Sequence, residues 1–109
     1  MARIQEITLR SGATVTMHTR LSWREARELV RTRQNIAKIK DEDKKDFVAL
    51  SCFVTGWTLR HVETGEPLEF DAASMPDVDY RDMGHIFELI EAVESGEDPN
   101  APSASSPAT

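Results

Sequence analysis

Three histidines are the first residues of this chain that could bind a metal ion or transfer a proton. His18, His61 and His85 fall in three separate segments, and none has a second histidine or cysteine at a ligand spacing. A structural zinc site needs ligands paired in this way. The sequence therefore predicts no metal site at the histidines.

Asp77, Asp79 and Glu88 have a spacing that partly resembles a calcium-binding loop. The fifth position of that loop would be Arg81, and the glycine falls at Gly84 instead of the sixth position, where the turn needs it. We interpret the aspartates as charges at the start of a helix, where the macrodipole favours carboxylates.

Cys52 is the single cysteine of the chain, and a thiol nucleophile requires at least one. It lies in the apolar segment 47–54, and apolar surroundings raise a thiol pKa and leave the sulfur inert. The glycine turns at 11–13 and 64–66 lack the glycine density and the following Lys-Ser/Thr of a phosphate-binding loop. The sequence therefore predicts a protein that is not an enzyme and holds no cofactor.

Five arginines between positions 20 and 33 form the one cluster that could contact phosphate. Glu25 and Glu28 lie among them, Trp23 is the one interleaved aromatic residue, and the net charge of the chain is −6. An acidic protein repels a polyanion, so a phosphate- or nucleic-acid-binding domain is the weaker alternative. We expect a solvated or partner-facing helix surface.

The two parts of the chain differ in the sign of their charge. Residues 1–40 hold nine Arg/Lys and three Glu, whereas residues 41–109 hold four Arg/Lys and sixteen Asp/Glu. Copies of such a polarised molecule could stack head to tail, which predicts a homo-oligomer. The alternative is two solvated faces that neutralise each other within one fold.

A length of 109 residues corresponds to one domain with one core. No apolar stretch approaches the roughly 20 residues of a membrane span, and the N-terminus has no signal-peptide pattern. We expect a cytoplasmic protein with no membrane contact. We assign residues 1–96 to a single α+β domain and residues 97–109, which lack large apolar side chains, to a disordered Ser/Pro/Ala tail.

Hydrophobic periodicity predicts two β-hairpins and about three α-helices around that core. Apolar residues alternate on both sides of Gly12, which indicates a hairpin over 4–18. Ser22 and Glu25 form a capping box that starts a helix. A second helix is expected to run through Val54, to end at Gly56 and to be the central core helix.

The remaining elements follow the same rules. Alternation on either side of the 63–66 turn predicts the second hairpin over 57–70. Residues 71–74 are typical of a short helical turn. Apolar residues at helical spacing from Met83 to Val93 predict the last helix, which Gly96 closes.

Several segments together resemble the tail assembly chaperones, or related small tail or virion proteins, of long-tailed bacteriophages. The resemblance covers about residues 4–95, and the segments that carry it are 7–17, 21–26, Gly56-Trp57, 64–68 and 83–87. It implies a non-catalytic protein that binds the tape-measure protein, keeps it soluble and recruits tail-tube subunits in the host cytoplasm. It also implies that the tail could be the junction of a frameshifted extension. A structural virion subunit is the alternative.

The work of such a chaperone needs a surface that binds a long helical partner weakly and repeatedly. We expect the partner-binding residues to be Trp23, Arg27, Arg31, Trp57 and Phe87. Each of the three aromatic residues has a competing interpretation as a core side chain.

Overall fold

The computed structural model describes residues 3–97 of the chain. The strands are β1 (Ile4–Thr8), β2 (Thr14–His18) and β3 (Val54–Trp57). The α-helices are α1 (Trp23–Ile36), α2 (Glu42–Ser51) and α3 (Tyr80–Glu94), and a 3₁₀ helix spans Ala72–Asp77. The predicted α+β class is confirmed, while the predicted tail beyond residue 97 lies outside the described residues.

The three strands form one antiparallel sheet in the order β1-β2-β3. Strands β1 and β2 make the predicted hairpin, in which Ile7 pairs with Val15. The turn needs Gly12, whose φ of 98° lies in the left-handed region that side chains disfavour. Its amide donates to the Leu9 carbonyl at 2.9 Å.

The core lies between one face of this sheet and the helices. Alternate residues of the hairpin are buried, namely Ile7, Leu9, Val15 and Met17. The prediction that the second helix is the central core helix is wrong, because Leu50 is its one buried residue. Helix α3 takes that place with four buried residues, Ile86, Leu89, Ile90 and Val93.

Helix α2 is shorter than predicted. It ends at Ser51, and Val54, which was expected to lie in the helix, instead begins β3, where Val54 pairs with Met17 and Trp57 pairs with Val15. A short apolar run does not distinguish a buried helix from a strand by its period. The β-branched and aromatic residues of this run favour the strand, and β2 offered a free edge for pairing.

The second predicted hairpin is reduced to a narrow turn. Arg60 and Pro67 form an isolated β-bridge, and the His61 amide donates to the Glu66 carbonyl at 2.8 Å. The ladder does not extend to a Leu59–Leu68 pair, because the Leu68 carbonyl accepts from the Trp57 indole at 3.1 Å instead of from the Leu59 amide. The turn residue Gly65 has a φ of 75°.

The predicted capping box forms at the start of α1. The Glu25 amide donates to the Ser22 hydroxyl at 3.2 Å, and the Ser22 amide donates to the Glu25 carboxylate at 2.8 Å. This second hydrogen bond lowers the pKa of the Glu25 carboxyl. Arg3 forms an ion pair with the same carboxylate, so the capping box also links α1 to the start of β1.

Replacing Ser22 with alanine is expected to lower the free energy of unfolding by about 1 kcal/mol, because the Glu25 amide at the helix start loses the hydroxyl that accepts its hydrogen bond. Urea unfolding followed by circular dichroism measures the change. Ser11→Ala is the matched control, since Ser11 is exposed and its hydroxyl accepts one long hydrogen bond of 3.4 Å from Ala13. Equal effects of the two substitutions would contradict the capping role.

Candidate functional site

Helix α1 lies at the periphery of the molecule, and none of its residues is buried. Its inner side includes the half-buried Leu29, and ion pairs hold the helix at both ends. Arg3 binds Glu25 near the start of the helix, and Arg33 binds Glu94 of α3 near its end. The helix is thus fixed in place while most of its surface faces solvent.

We define the α1 face by five of the exposed residues on the outward side of α1: Trp23, Arg24, Arg27, Val30 and Arg31. Successive residues of an α-helix are rotated by about 100°, so positions three, four and seven apart project in similar directions. Trp23 is 76% exposed and Val30 is 56% exposed. The structure therefore places two large apolar side chains in solvent among three arginines.

The arginines of the α1 face differ in their pairing. Arg31 binds Glu28 at 2.9 Å within the same helix. Among residues 3–97, no hydrogen bond or ion pair occupies the side chain of Arg24 or Arg27. Two cations next to exposed apolar surface are therefore free to bind an anionic partner.

The structure brings together three of the five predicted partner-binding residues, Trp23, Arg27 and Arg31. Trp57 lies elsewhere, in a half-buried aromatic cluster, with its ring 4.9 Å from Phe70 and 6.4 Å from Phe47. Its indole Nε1 donates to the Leu68 carbonyl at 3.1 Å. This hydrogen bond and the ring contacts give Trp57 a structural role.

Phe87 is the fifth predicted residue, and it lies on α3. Its half-buried side chain packs against the core. The sequence could not separate Trp23 from these two aromatic residues, because all three recur at spacings compatible with burial. Only the position of α1 outside the core leaves Trp23 exposed.

Sequence reasoning did not find a groove that lies beside α1. Its volume is about 730 Å³, and its apolar lining combines Leu21, Leu29 and Val93. Arg20 and Glu94 lie at the same groove. No local signal could have identified it, because the segment before α1 and the end of α3 are more than 60 residues apart in the chain.

A second cleft, of about 620 Å³, lies between the β1–β2 turn and the start of α3. The Arg10 amide donates to His85 Nδ1 at 3.3 Å, and the Arg10 side chain binds Glu88 at 3.2 Å. Arg81 reaches Asp79 at 3.5 Å. Both arginines of this cleft already have carboxylate partners, so the described residues that line it leave no unpaired arginine for a phosphate group.

Partial burial, together with the nearby Arg10 guanidinium, lowers the pKa of His85. The folded state therefore binds this proton less readily than the unfolded chain. The contribution of His85 to the free energy of unfolding is fully present above the ordinary histidine pKa. It is lost as the pH falls through the lowered pKa of His85 in the folded state.

Arg10→Gln is expected to raise the pKa of His85, because it removes the repelling charge and keeps the backbone amide. An NMR titration of the His85 ring measures the change. Arg20→Gln removes the same charge at a position that does not perturb His85 and serves as the control. An unchanged His85 pKa in the Arg10 variant would contradict the electrostatic cause.

The described residues offer little for nucleophilic or metal chemistry. Burial raises the pKa of the Cys52 thiol, which donates a weak hydrogen bond to the Val48 carbonyl at 3.4 Å. A protonated thiol is a poor nucleophile. Within residues 3–97, no three His, Cys, Asp or Glu side chains are grouped closely enough to hold a metal ion.

In the part of the chain that the structure describes, no helix has the length and apolar character needed to cross a membrane. Comparison with protein-family models, curated proteins and solved structures finds no match to this chain. Arguments about function therefore rest on the α1 face and its surroundings.

Proposed function

We propose that this chain is a non-catalytic protein-binding domain and that the α1 face is its binding surface. The observation that carries the proposal is the 76% exposure of Trp23 on a helix anchored by ion pairs. A tryptophan in solvent forgoes the gain from burying a large aromatic surface, which a bound partner would supply. Tryptophan and arginine are also the residue types that dominate binding energy at protein interfaces.

The chemistry of the α1 face indicates the kind of partner. Trp23 and Val30 lie along one side of the helix, which suits an amphipathic helix packed against it. The unpaired Arg24 and Arg27 favour carboxylates on that partner. The partner that fits best is an acidic amphipathic helix.

The specific form of the proposal is a tail assembly chaperone of a long-tailed bacteriophage, acting in the host cytoplasm. Its basis is the resemblance in segments such as 7–17 and 83–87. The partners would be the tape-measure protein, whose long helices offer many similar binding surfaces, and the tail-tube protein. Weak contacts from many copies would coat such a partner and still allow its release.

Binding of the purified chain to the tape-measure protein encoded beside it tests this function, with the dissociation constant measured by calorimetry. Trp23→Ala is expected to weaken binding by about tenfold to a hundredfold, as for an interface tryptophan. Tyr80→Ala is the matched control, since Tyr80 is an exposed aromatic residue at the start of α3. Equal affinities of the two variants would exclude the α1 face as the binding surface.

Two further observations separate the chaperone from its alternative. A gene that does not lie between a tail-tube gene and a tape-measure gene would remove the chaperone form of the proposal. Mass spectrometry of purified virions should not detect a chaperone. Detection of the chain in mature particles would identify a structural subunit.

A further inference from the structure

A second exposed surface has the opposite charge to the α1 face. We call it the acidic turn and define it by four exposed residues, Val62, Glu63, Glu66 and Glu69. Val62 is 54% exposed. Within residues 3–97, the three carboxylates have no ion-pair partner. The surface thus combines one apolar side chain with three free negative charges.

The backbone holds the acidic turn in a defined shape. Arg60 Nη1 donates to the Gly65 carbonyl at 2.9 Å and so crosses the turn. The Val62 amide donates to the Asp77 carbonyl at 2.9 Å and ties the turn to the segment before α3. The carboxylates are therefore presented on an ordered loop.

The α1 face and the acidic turn follow opposite ends of the β2–β3 strand pair. Helix α1 follows the His18 end of β2, whereas β3 runs antiparallel to β2 and ends beside its start, where Trp57 pairs with Val15. The acidic turn continues from that end. A five-residue strand spans about 15 Å, so the length of the strands separates the points from which the two surfaces continue.

We propose that the acidic turn of a second copy of this chain binds the α1 face. Charge complementarity supports this occupant, because the unpaired Arg24 and Arg27 would meet free carboxylates. Each surface also carries exposed apolar side chains, and Val62 would cover part of Trp23.

The association joins unlike surfaces, so every complex keeps one free α1 face and one free acidic turn at its ends. Such a head-to-tail contact forms open chains, or a ring if the rotation closes. Exposed ion pairs are individually weak and are screened by salt, so the association depends on concentration and ionic strength. A partner that binds the α1 face would compete with the second copy.

Sedimentation of the full chain at about 100 µM tests the proposal, with oligomers expected at about 50 mM salt and monomers at about 500 mM. Arg24→Glu with Arg27→Glu, and separately Glu63→Lys with Glu66→Lys, should each weaken association at least tenfold. An equimolar mixture of the two variants should associate again, because each reversed surface then meets a complementary one. Lys38→Glu with Lys40→Glu makes the same charge reversal between α1 and α2 and should associate as the unmodified chain does.

Three outcomes would each overturn the proposal: a monomeric protein at low salt, unimpaired association of either charge-reversed variant alone, or a mixture that stays monomeric. Circular dichroism shows whether each variant is folded. If the chain with Arg24→Glu and Arg27→Glu does not fold, the chain with Arg24→Gln and Arg27→Gln replaces it. These measurements use the purified chain without a partner. Their failure is therefore distinguishable from a failure of the proposed function, which is measured by partner binding.

Discussion

Replacing Phe53 with alanine is expected to lower the free energy of unfolding by about 3 to 5 kcal/mol, the largest effect of any substitution considered for this chain. Phe53 has 0% exposure and is the largest fully buried side chain of the described residues. It connects α2 to β3, and its carbonyl accepts a hydrogen bond of 2.8 Å from the His18 amide. The truncated side chain would leave a cavity between the sheet and the helices.

Urea unfolding followed by circular dichroism measures this effect. Since small domains have about 5 to 15 kcal/mol of stability in total, Phe53→Leu provides a milder variant that should remain folded. Val30→Ala is the control, because Val30 is exposed and its truncation should change stability by less than about 0.5 kcal/mol. A Phe53→Ala effect as small as that of the control would show that this core is not packed as described.

Trp57→Ala is expected to lower the free energy of unfolding by about 2 to 4 kcal/mol. The effect is slightly smaller than that of Phe53→Ala because Trp57 is half-buried. The substitution removes the ring contacts with Phe47 and Phe70 and leaves the Leu68 carbonyl without its donor. Trp57→Phe keeps an aromatic ring and loses the hydrogen bond, so it should cost about 1 kcal/mol.

The comparison with Trp23 makes this prediction a test of function as well as of stability. The chain has two tryptophans, so in a Trp23→Phe background the fluorescence of Trp57 alone reports unfolding of the aromatic cluster. We expect Trp23→Ala to leave stability almost unchanged and to weaken partner binding. The reverse pattern, with Trp23 stabilising the fold and Trp57 dispensable, would contradict the assignment of the two residues.

The arginine-rich character of α1 does not by itself indicate nucleic acid as the partner. Arg31 and Arg33 are paired with Glu28 and Glu94, which reduces the charge available to phosphate groups. The remaining free cations lie beside an exposed tryptophan, which is the composition of a protein-binding surface.

Local signals in the sequence were sufficient for several elements. The capping box of Ser22 and Glu25 and the left-handed turn at Gly12 depend on residues within four positions of each other. Gly96, with a φ of 81°, ends α3 where the periodic pattern stops. Helix caps and tight turns depend on residues that are close in the sequence, so the sequence predicts them.

Tertiary structure decided the elements for which local signals conflict. The apolar residues after Ser51 are compatible with either a helix or a strand. In the structure this segment pairs with β2 and forms β3. In the same way, Trp57 became part of an aromatic cluster because Phe47 and Phe70 come to it from distant positions.

For the candidate site, the order of residues was enough to predict the residues of α1, their helical spacing and the charge difference between the two parts of the chain. It did not determine that α1 lies outside the core, that the acidic turn follows the other end of the strand pair, or that Arg24 and Arg27 have no partner among residues 3–97. Those properties depend on which distant segments reach each surface. Helical periodicity shows which residues, three or four positions apart, share a face of the helix. Whether that face is buried, and whether its charges are paired, depends on how the whole chain packs.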